Sequence, residues 1–350
     1  MRDIKLYFVK MKMNGGVIMK PLIGIHHVTA MTSSAEKIYE FFTYVLGLRL
    51  VKKTINQDDI QAYHLFFADD RGSAGTDVTF FDFPGNQKAS KGTNEIAKTG
   101  LRVKDDASIL YWKRRFEKLN IKHDEITLLF DRKTIFFEDF DGQEYFLISD
   151  ENIDGVKPGI PWLNGPIPNE YAIIGLGPIY FRVNDQLRMD EVLTKYLTFD
   201  LLLNDKNLFL YQTGEGGNGA SVILEKTNQL SQGYQGYGAV HHVAFRVNDT
   251  EDIHQWINHL NKIGARHSGF VDRFYFRSLY TRLYPNILFE FATEGPGFID
   301  DEESYENLGE LLALPPKFRD KRNQIEKLVR HIDTVRSDKE FKKEYMDHDK

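Results

Sequence analysis

The sequence predicts an α+β fold in which four βαβββ modules pair into two curved mixed sheets with helices outside, followed by a C-terminal helix. Three observations predict it. An order of one strand, one amphipathic helix and three strand-like runs occurs four times, a glycine closes the first helix, and a proline-rich stretch separates the copies two and two. One such unit cannot bury both its helix face and its sheet face alone, so the units must pair.

The first copy opens with GIHHVTAMT at Gly24, continues through AEKIYEFFTYVLG, and adds the runs LRLVKKTI, AYHLFFA and DVTFFDF. Gly47 stands where a helix ends on a left-handed C′ residue. The second copy starts near Ile96 with IAKTGLRV, the helix ASILYWKRRFEKLN, and runs around HDEITLLF, KTIFFED and EYFLIS. The third starts at Ala172 with IIGLGPIYFRV, the helix MDEVLTKYLTF, and LLLN, LFLYQT and SVILEK. The fourth starts at Gly238 with AVHHVAFRV, the helix TEDIHQWINHLNKIG, and strands ending in SLYTRLY and NILFEFAT. Between the second and third copies, VKPGIPWLNGPIPNE holds four prolines and reads as a linker. The expected organisation is an N-terminal extension (1–21), modules 1 and 2 (22–150), the linker (151–169), modules 3 and 4 (170–298) and a C-terminal helical tail (299–350). In that tail PPKFRDKRNQIEKLVRHIDTV spaces Leu and Ile for one shallow apolar stripe, and the last ten residues are expected to fray. Residues 1–18 carry no pattern that continues into the body, which suggests an added or mis-assigned start before Met19.

Composition narrows the chemistry. The 350 residues contain 45 Lys+Arg against 51 Asp+Glu, a net charge of −6, so no basic field attracts nucleic acid or anionic lipid. Cysteine is absent, which excludes disulfides, thiolate nucleophiles, Cys-ligated zinc and iron–sulfur clusters. Any metal must sit on His, Asp or Glu. No apolar run approaches the roughly 20 residues needed to cross a bilayer, and a cytoplasmic location is expected.

Eleven histidines in 350 residues would give roughly 0.3 adjacent pairs by chance, yet the chain has two, His26-His27 and His241-His242. Both precede Val and both open the first strand of a module. The middle copies place Gly100-Leu101 and Gly177-Pro178 near the same position. A single strand histidine is commonly a core residue; packing alone gives no reason for imidazole pairs twice in one register. In NILFEFAT, strand alternation puts Leu288, Glu290 and Ala292 on one face and Ile287, Phe289 and Phe291 on the other. A carboxylate within so apolar a strand needs its lost hydration replaced, which a cation does well. Two His and one carboxylate form the ligand set that suits non-haem Fe(II), with open positions for substrate and O2.

These features resemble a known family. The four units, GIHHVT, AVHHVAF and above all DRFYFRSLYTRLYPNILFEFAT are similar to the vicinal-oxygen-chelate superfamily (glyoxalase, bleomycin-resistance proteins and extradiol dioxygenases), and within it to dioxygenases that open hydroquinones. The resemblance covers about residues 22–298. It implies a metal cup shared by the first and fourth modules, with His27, His242 and Glu290 as ligands of Fe(II), or of Mn(II) in its place. It also implies Tyr280 and Arg273 beside the substrate oxygen, and His26, Thr29 and His241 around the ligands. Neighbours on an ideal strand point to opposite faces, so His26 and His241 reach the pocket only if their strands twist, bulge or open. Phe80, Phe81, Phe274 and Phe276 are candidates for its wall.

The expected function is therefore ring cleavage of hydroquinone- or catechol-like substrates with O2, by a small-molecule enzyme without nucleic-acid or membrane partners, a homo-oligomer being left open. Two alternatives stand beside it. A glyoxalase-like lyase or isomerase needs a second carboxylate ligand from the end of the first module's sheet, for which Asp82 is the nearest candidate. A metal-free binding protein needs no converging ligands at all.

Overall fold

The computed structural model describes residues 12–14, 17–299 and 302–346, so most of the expected N-terminal extension and the last four residues lie outside the described residues. Within the extension, β1 (Lys12–Asn14) and β2 (Val17–Met19) form a small antiparallel ladder. Module 1 comprises β3 (Ile25–Met31), α1 (Ala35–Glu40), β4 (Arg49–Ile55), β5 (Tyr63–Ala68) and β6 (Asp77–Asp82). Module 2 comprises β7 (Glu95–Val103), α2 (Asp106–Leu119), β8 (Thr127–Leu129), β9 (Arg132–Glu138) and β10 (Glu144–Ser149). Module 3 comprises β11 (Ile173–Val183), α3 (Gln186–Glu191), β12 (Asp200–Asp205), β13 (Leu208–Gln212) and β14 (Ser221–Lys226). Module 4 comprises β15 (Ala239–Val247), α4 (Thr250–Lys262), β16 (Val271–Asp272), β17 (Arg277–Tyr284) and β18 (Ile287–Thr293). The repeat is thus as expected, and Gly47 ends the first helix with φ +71°.

Local chemistry explains the helices. Asp105 and Asp249 accept from the amides of Ser108 and Asp252, capping α2 and α4. In modules 1 and 3 the helix ends instead in a π-helical turn, Phe41–Val45 and Val192–Tyr196. The apolar faces of α1 to α4 close one continuous core over the convex sides of both sheets, centred on Phe42, Trp112, Leu193 and Trp256.

Strand pairing joins the outer modules to each other and the inner modules to each other. One eight-stranded sheet runs β16-β17-β18-β15-β3-β6-β5-β4 and the other β12-β13-β14-β11-β7-β10-β9-β8. At each seam the first strands of two modules, β3 with β15 or β7 with β11, pair antiparallel. The inner sheet's concave face is filled by Phe146, Tyr180, Leu210 and Ile223. Gly100 sits there against Pro178, where a Cβ would meet the Pro178 carbonyl oxygen at 2.5 Å.

The expected C-terminal helix is present but shorter than its sequence pattern. A 3-10 turn (Pro316–Lys321) leads into α5 (Arg322–Leu328), and the chain then runs extended to Met346. Beyond α5 the chain forms a strap held by charged side chains of the tail and of β4. Lys53 Nζ donates to Ile332 O and Thr334 Oγ1, and Arg336 donates to Leu50 O and Leu308 O. Ala313 N donates to Lys53 O, so the strap covers the open edge of β4. The segment expected to fray is anchored up to Met346: Lys343 Nζ donates to Gly165 O and Ile167 O, and Glu344 pairs with Arg115 at 2.6 Å. Ahead of α5, Phe298, Glu303 and Leu308 close one end of the outer cup, where the fully buried Lys52 and Glu303 pair at 2.7 Å. Among the described residues no helix is long and apolar enough to cross a membrane.

Candidate functional site

The outer sheet curls around a cavity of ≈ 420 Å³ lined by both outer modules. About 150 Å³ suffices for benzene, so one substituted ring fits with space for small co-ligands. His27 on β3, His242 on β15 and Glu290 on β18 meet at its floor, all three buried.

Two bulges bring the histidine pairs to one side. Across the seam Val240 faces Ala30 and His242 faces Thr29, which leaves His241 as an extra residue; Ala244 faces His27 and Phe245 faces Ile25, which leaves His26 as another. A bulge lets successive side chains lean the same way, so the twofold-like seam supplies both doublets. His26 Nδ1 lies 2.9 Å from His27 Nδ1, and His241 Nδ1 lies 2.8 Å from His242 Nδ1. Burial, then the neighbouring His27, push the His26 imidazole down to about 3; burial and His242 do the same to His241. His26 Nε2 stands 3.0 Å from the Thr293 carbonyl, which only accepts, so neutral His26 donates there and accepts at Nδ1. His27 must then donate from Nδ1, which leaves its Nε2 lone pair facing the floor.

That floor fits a divalent ion. His27 Nε2 and His242 Nε2 lie 3.1 and 2.9 Å from Glu290 Oε2 and 3.3 Å from each other. Donors bonded at about 2.1–2.2 Å in the right-angled arrangement of an octahedral face stand about 3 Å apart. Glu290 Oε2 has no hydrogen bond of acceptable geometry, whereas Oε1 accepts from Ser278 Oγ at 2.5 Å. Burial by itself would raise the Glu290 carboxyl, but the facing imidazoles outweigh it and hold the group well below the usual carboxylate range.

The other expected residues divide. Tyr280 and Arg273 line the cavity, and Arg273 Nε donates to Tyr280 Oη at 3.1 Å. The Arg273 guanidinium also holds Asp58 with two hydrogen bonds, while Gln57 Nε2 donates to Arg273 O, closing the rim between the modules. His241 lines the cavity; His26 lies behind His27. Thr29 is fully buried with its hydroxyl 2.8 Å from Thr79 Oγ1. Phe81 and Phe276 form wall, as expected, but Phe80 points through the sheet to Phe42 and Phe67, as alternation from Phe81 requires. Phe274, at φ +72°, packs on Tyr275 away from the lining.

His64 and Thr79 were not anticipated. His64 lines the cavity between Phe66 and Phe81 and lies 2.9 Å from Thr79 Oγ1. Thr79 occupies the seam-related counterpart of Glu290: Glu290 pairs with Ala244, two residues after His242, and Thr79 pairs with Thr29, two after His27. The place where a second carboxylate ligand would stand therefore carries a hydroxyl. Asp82 lies elsewhere, paired with Arg330 of the strap at 2.7 Å and accepting from Ala35 N.

The sequence agrees with this geometry. The family described as Glyoxalase/Bleomycin resistance protein/Dioxygenase superfamily matches residues 24–145. Over 314 residues the chain is 40% identical to "Putative ring-cleaving dioxygenase MhqA" of Bacillus subtilis, spanning 88% of this chain and 98% of that protein. The chain belongs to the glyoxalase/bleomycin resistance protein/dioxygenase superfamily. Within the superfamily it is a ring-cleaving dioxygenase. It is 28% identical over 309 residues to "Chlorohydroquinone/hydroquinone 1,2-dioxygenase" of Sphingobium indicum, 86% of this chain and 94% of that one. A crystal structure described as a "putative dioxygenase" of Bacillus subtilis superposes with a TM-score of 0.82 at 30% identity, over 90% of this chain and 99% of the other. Glyoxalase I of Zea mays, at 14% identity and a TM-score of 0.54, shares the superfamily fold.

Proposed function

We propose that the chain opens a hydroquinone- or catechol-like ring with O2, using Fe(II) held by His27, His242 and Glu290. The observation that carries this reading is the convergence of those three buried donors at the floor of a ring-sized cavity, with Thr79 rather than a carboxylate at the fourth seam position. Three protein ligands leave open positions, as oxygen activation requires, whereas a lyase-type site draws a fourth from the protein. The relative named a hydroquinone dioxygenase supports the same substrate class.

His27, His242 and Glu290 would hold the Fe(II), which when bound would supply open coordination positions and redox chemistry. The chain does the rest. Arg273 Nε makes Tyr280 Oη an acceptor, which frees the Tyr280 proton for donation into the cavity. Burial, then the Glu290 charge, raise the Tyr280 phenol, so it stays a donor at neutral pH. It would hold a substrate oxygen as negative charge grows there. His241, neutral at pH 7, steadies the outer nitrogen of His242 and presents its own ring to the ligand. Phe81 and Phe276 flank the ring and, with the Asp58–Arg273 rim, restrict water.

Anaerobic reconstitution with Fe(II), Mn(II) or Zn(II), followed by methylhydroquinone, catechol or the methylglyoxal–thiol adduct, tests the reading. O2 uptake with ring-opened absorbance is expected with Fe(II) and a diol; thiol-adduct turnover without O2 would replace the reading with a lyase. Arg273→Lys, which loses the Nε hydrogen bond and the bidentate hold on Asp58, is expected to lower kcat/KM by about tenfold while metal content, measured by elemental analysis, stays unchanged.

A further inference from the structure

The two oxygens of Glu290 stand in different surroundings, and β17 sets the difference. Across the antiparallel pair of β17 and β18, Tyr280 faces Glu290 and Ser278 faces Ala292. Alternation puts Ser278, Tyr280 and Glu290 on the concave side of the sheet, so two hydroxyl-bearing residues flank one carboxylate. Only one of them takes it. Ser278 Oγ lies 2.5 Å from Glu290 Oε1, and both residues are completely buried. An ionised carboxylate only accepts, so the serine hydroxyl donates. Tyr280 Oη accepts from Arg273 Nε at 3.1 Å instead. Oε2 has no hydrogen bond of acceptable geometry and lies 3.1 Å from His27 Nε2 and 2.9 Å from His242 Nε2.

This asymmetry bears on the ion. A carboxylate can ligate through one oxygen or through both. The choice decides how many coordination positions remain for anything else. A second oxygen from Glu290 would occupy a position that the ring-cleaving reading reserves for substrate or O2. To reach the ion, Oε1 would have to leave a short, charge-assisted hydrogen bond and strand a buried serine hydroxyl without its acceptor.

We propose that Ser278 is a positioning residue: it pins Glu290 Oε1 to β17, so that the carboxylate offers Oε2 alone to the ion and a coordination position stays open. The proposal rests on the Fe(II) ring-cleaving reading of the cavity and deepens it. Ser278 touches neither the ion nor the substrate; it acts through Glu290. With Ser278→Ala the freed Oε1 has the ion as its nearest compensation, and the carboxylate turns to bind through both oxygens. A serine that merely satisfied a buried charge would have no such effect on the open position.

The test reads the open position directly, by anaerobic titration of the Fe(II)-loaded protein with nitric oxide, an O2 surrogate, followed by electron paramagnetic resonance. At full iron loading, Ser278→Ala is expected to bind nitric oxide about tenfold more weakly than the wild type, and Ser278→Thr, which keeps the hydroxyl, to recover most of that loss. Iron affinity of Ser278→Ala, measured by equilibrium dialysis and elemental analysis, should stay within about threefold of the wild type, because the second oxygen replaces what the lost hydrogen bond gave. Nitric oxide affinity within about twofold of the wild type, whatever happens to iron affinity, overturns the positioning role and leaves the ring-cleaving reading standing. A crystal structure of the Fe(II)-loaded wild type tests the same point without any variant. Oε1 on Ser278 and Oε2 on the ion are expected; both oxygens on the ion overturn the proposal. A loaded wild type that binds no nitric oxide overturns the ring-cleaving reading and the proposal together.

Discussion

Glu290→Gln, reconstituted with Fe(II), should bind the ion at least about tenfold more weakly and keep less than about a hundredth of the wild-type ring-opening rate. Glutamine preserves shape and still offers Ser278 an acceptor, so the strand is not disturbed. What disappears is the negative charge between His27 and His242, the only carboxylate that meets them among the described residues. The buried imidazoles alone give a neutral pair, which holds a hard divalent cation poorly. Metal titration separates this from unfolding, and wild-type metal affinity in the variant would remove the triad assignment. His242→Ala should be at least as severe, but it also opens a hole beside Phe81 and is a less clean probe.

A second large effect is expected far from the ligands. Lys52 and Glu303 are both completely buried, and Lys52 Nζ also sits 5.2 Å from the Tyr275 ring centre. Lys52→Ala strands the Glu303 charge at the closed end of the cup, which should cost about 3–5 kcal/mol in denaturant unfolding. Replacing both partners with apolar residues, Lys52→Met with Glu303→Leu, should recover most of that loss, because the penalty lies in the orphaned charge rather than in the missing pair. If Lys52→Ala unfolds at the wild-type denaturant concentration, the segment that carries Glu303 is not closing the cup. Tyr275 lines the cavity, so the single variant should also loosen the rim that Arg273 and Gln57 hold.

Much of this architecture is legible in the sequence because it repeats. The doublets at His26 and His241 mark equivalent strands, and Glu290 betrays itself as a charge in an apolar run. The bulges that turn both doublets inward leave no such trace, since they depend on the register between β3 and β15, strands 214 residues apart from Ile25 to Ala239. His64 and Thr79 escape for the same reason: a lone histidine and a strand threonine acquire meaning only from their neighbours across β5, β6 and β3. Asp82 looks ligand-like by chain position, but its partner Arg330 belongs to an extended strap that has no periodicity to read. The strap's contacts are set by single charged side chains against backbone carbonyls, a pattern that looks like solvated tail in one dimension.

The seam order has a temporal consequence. Modules 2 and 3 are neighbours in the chain and can pair as soon as both have left the ribosome. Module 1 must wait, with the β3 edge of its sheet unpaired, until β15 and β18 have been synthesised. Convergence of His27, His242 and Glu290 is therefore confined to a nearly finished polypeptide, and any truncation before Glu290 yields a product that can build the inner sheet yet never assemble the triad.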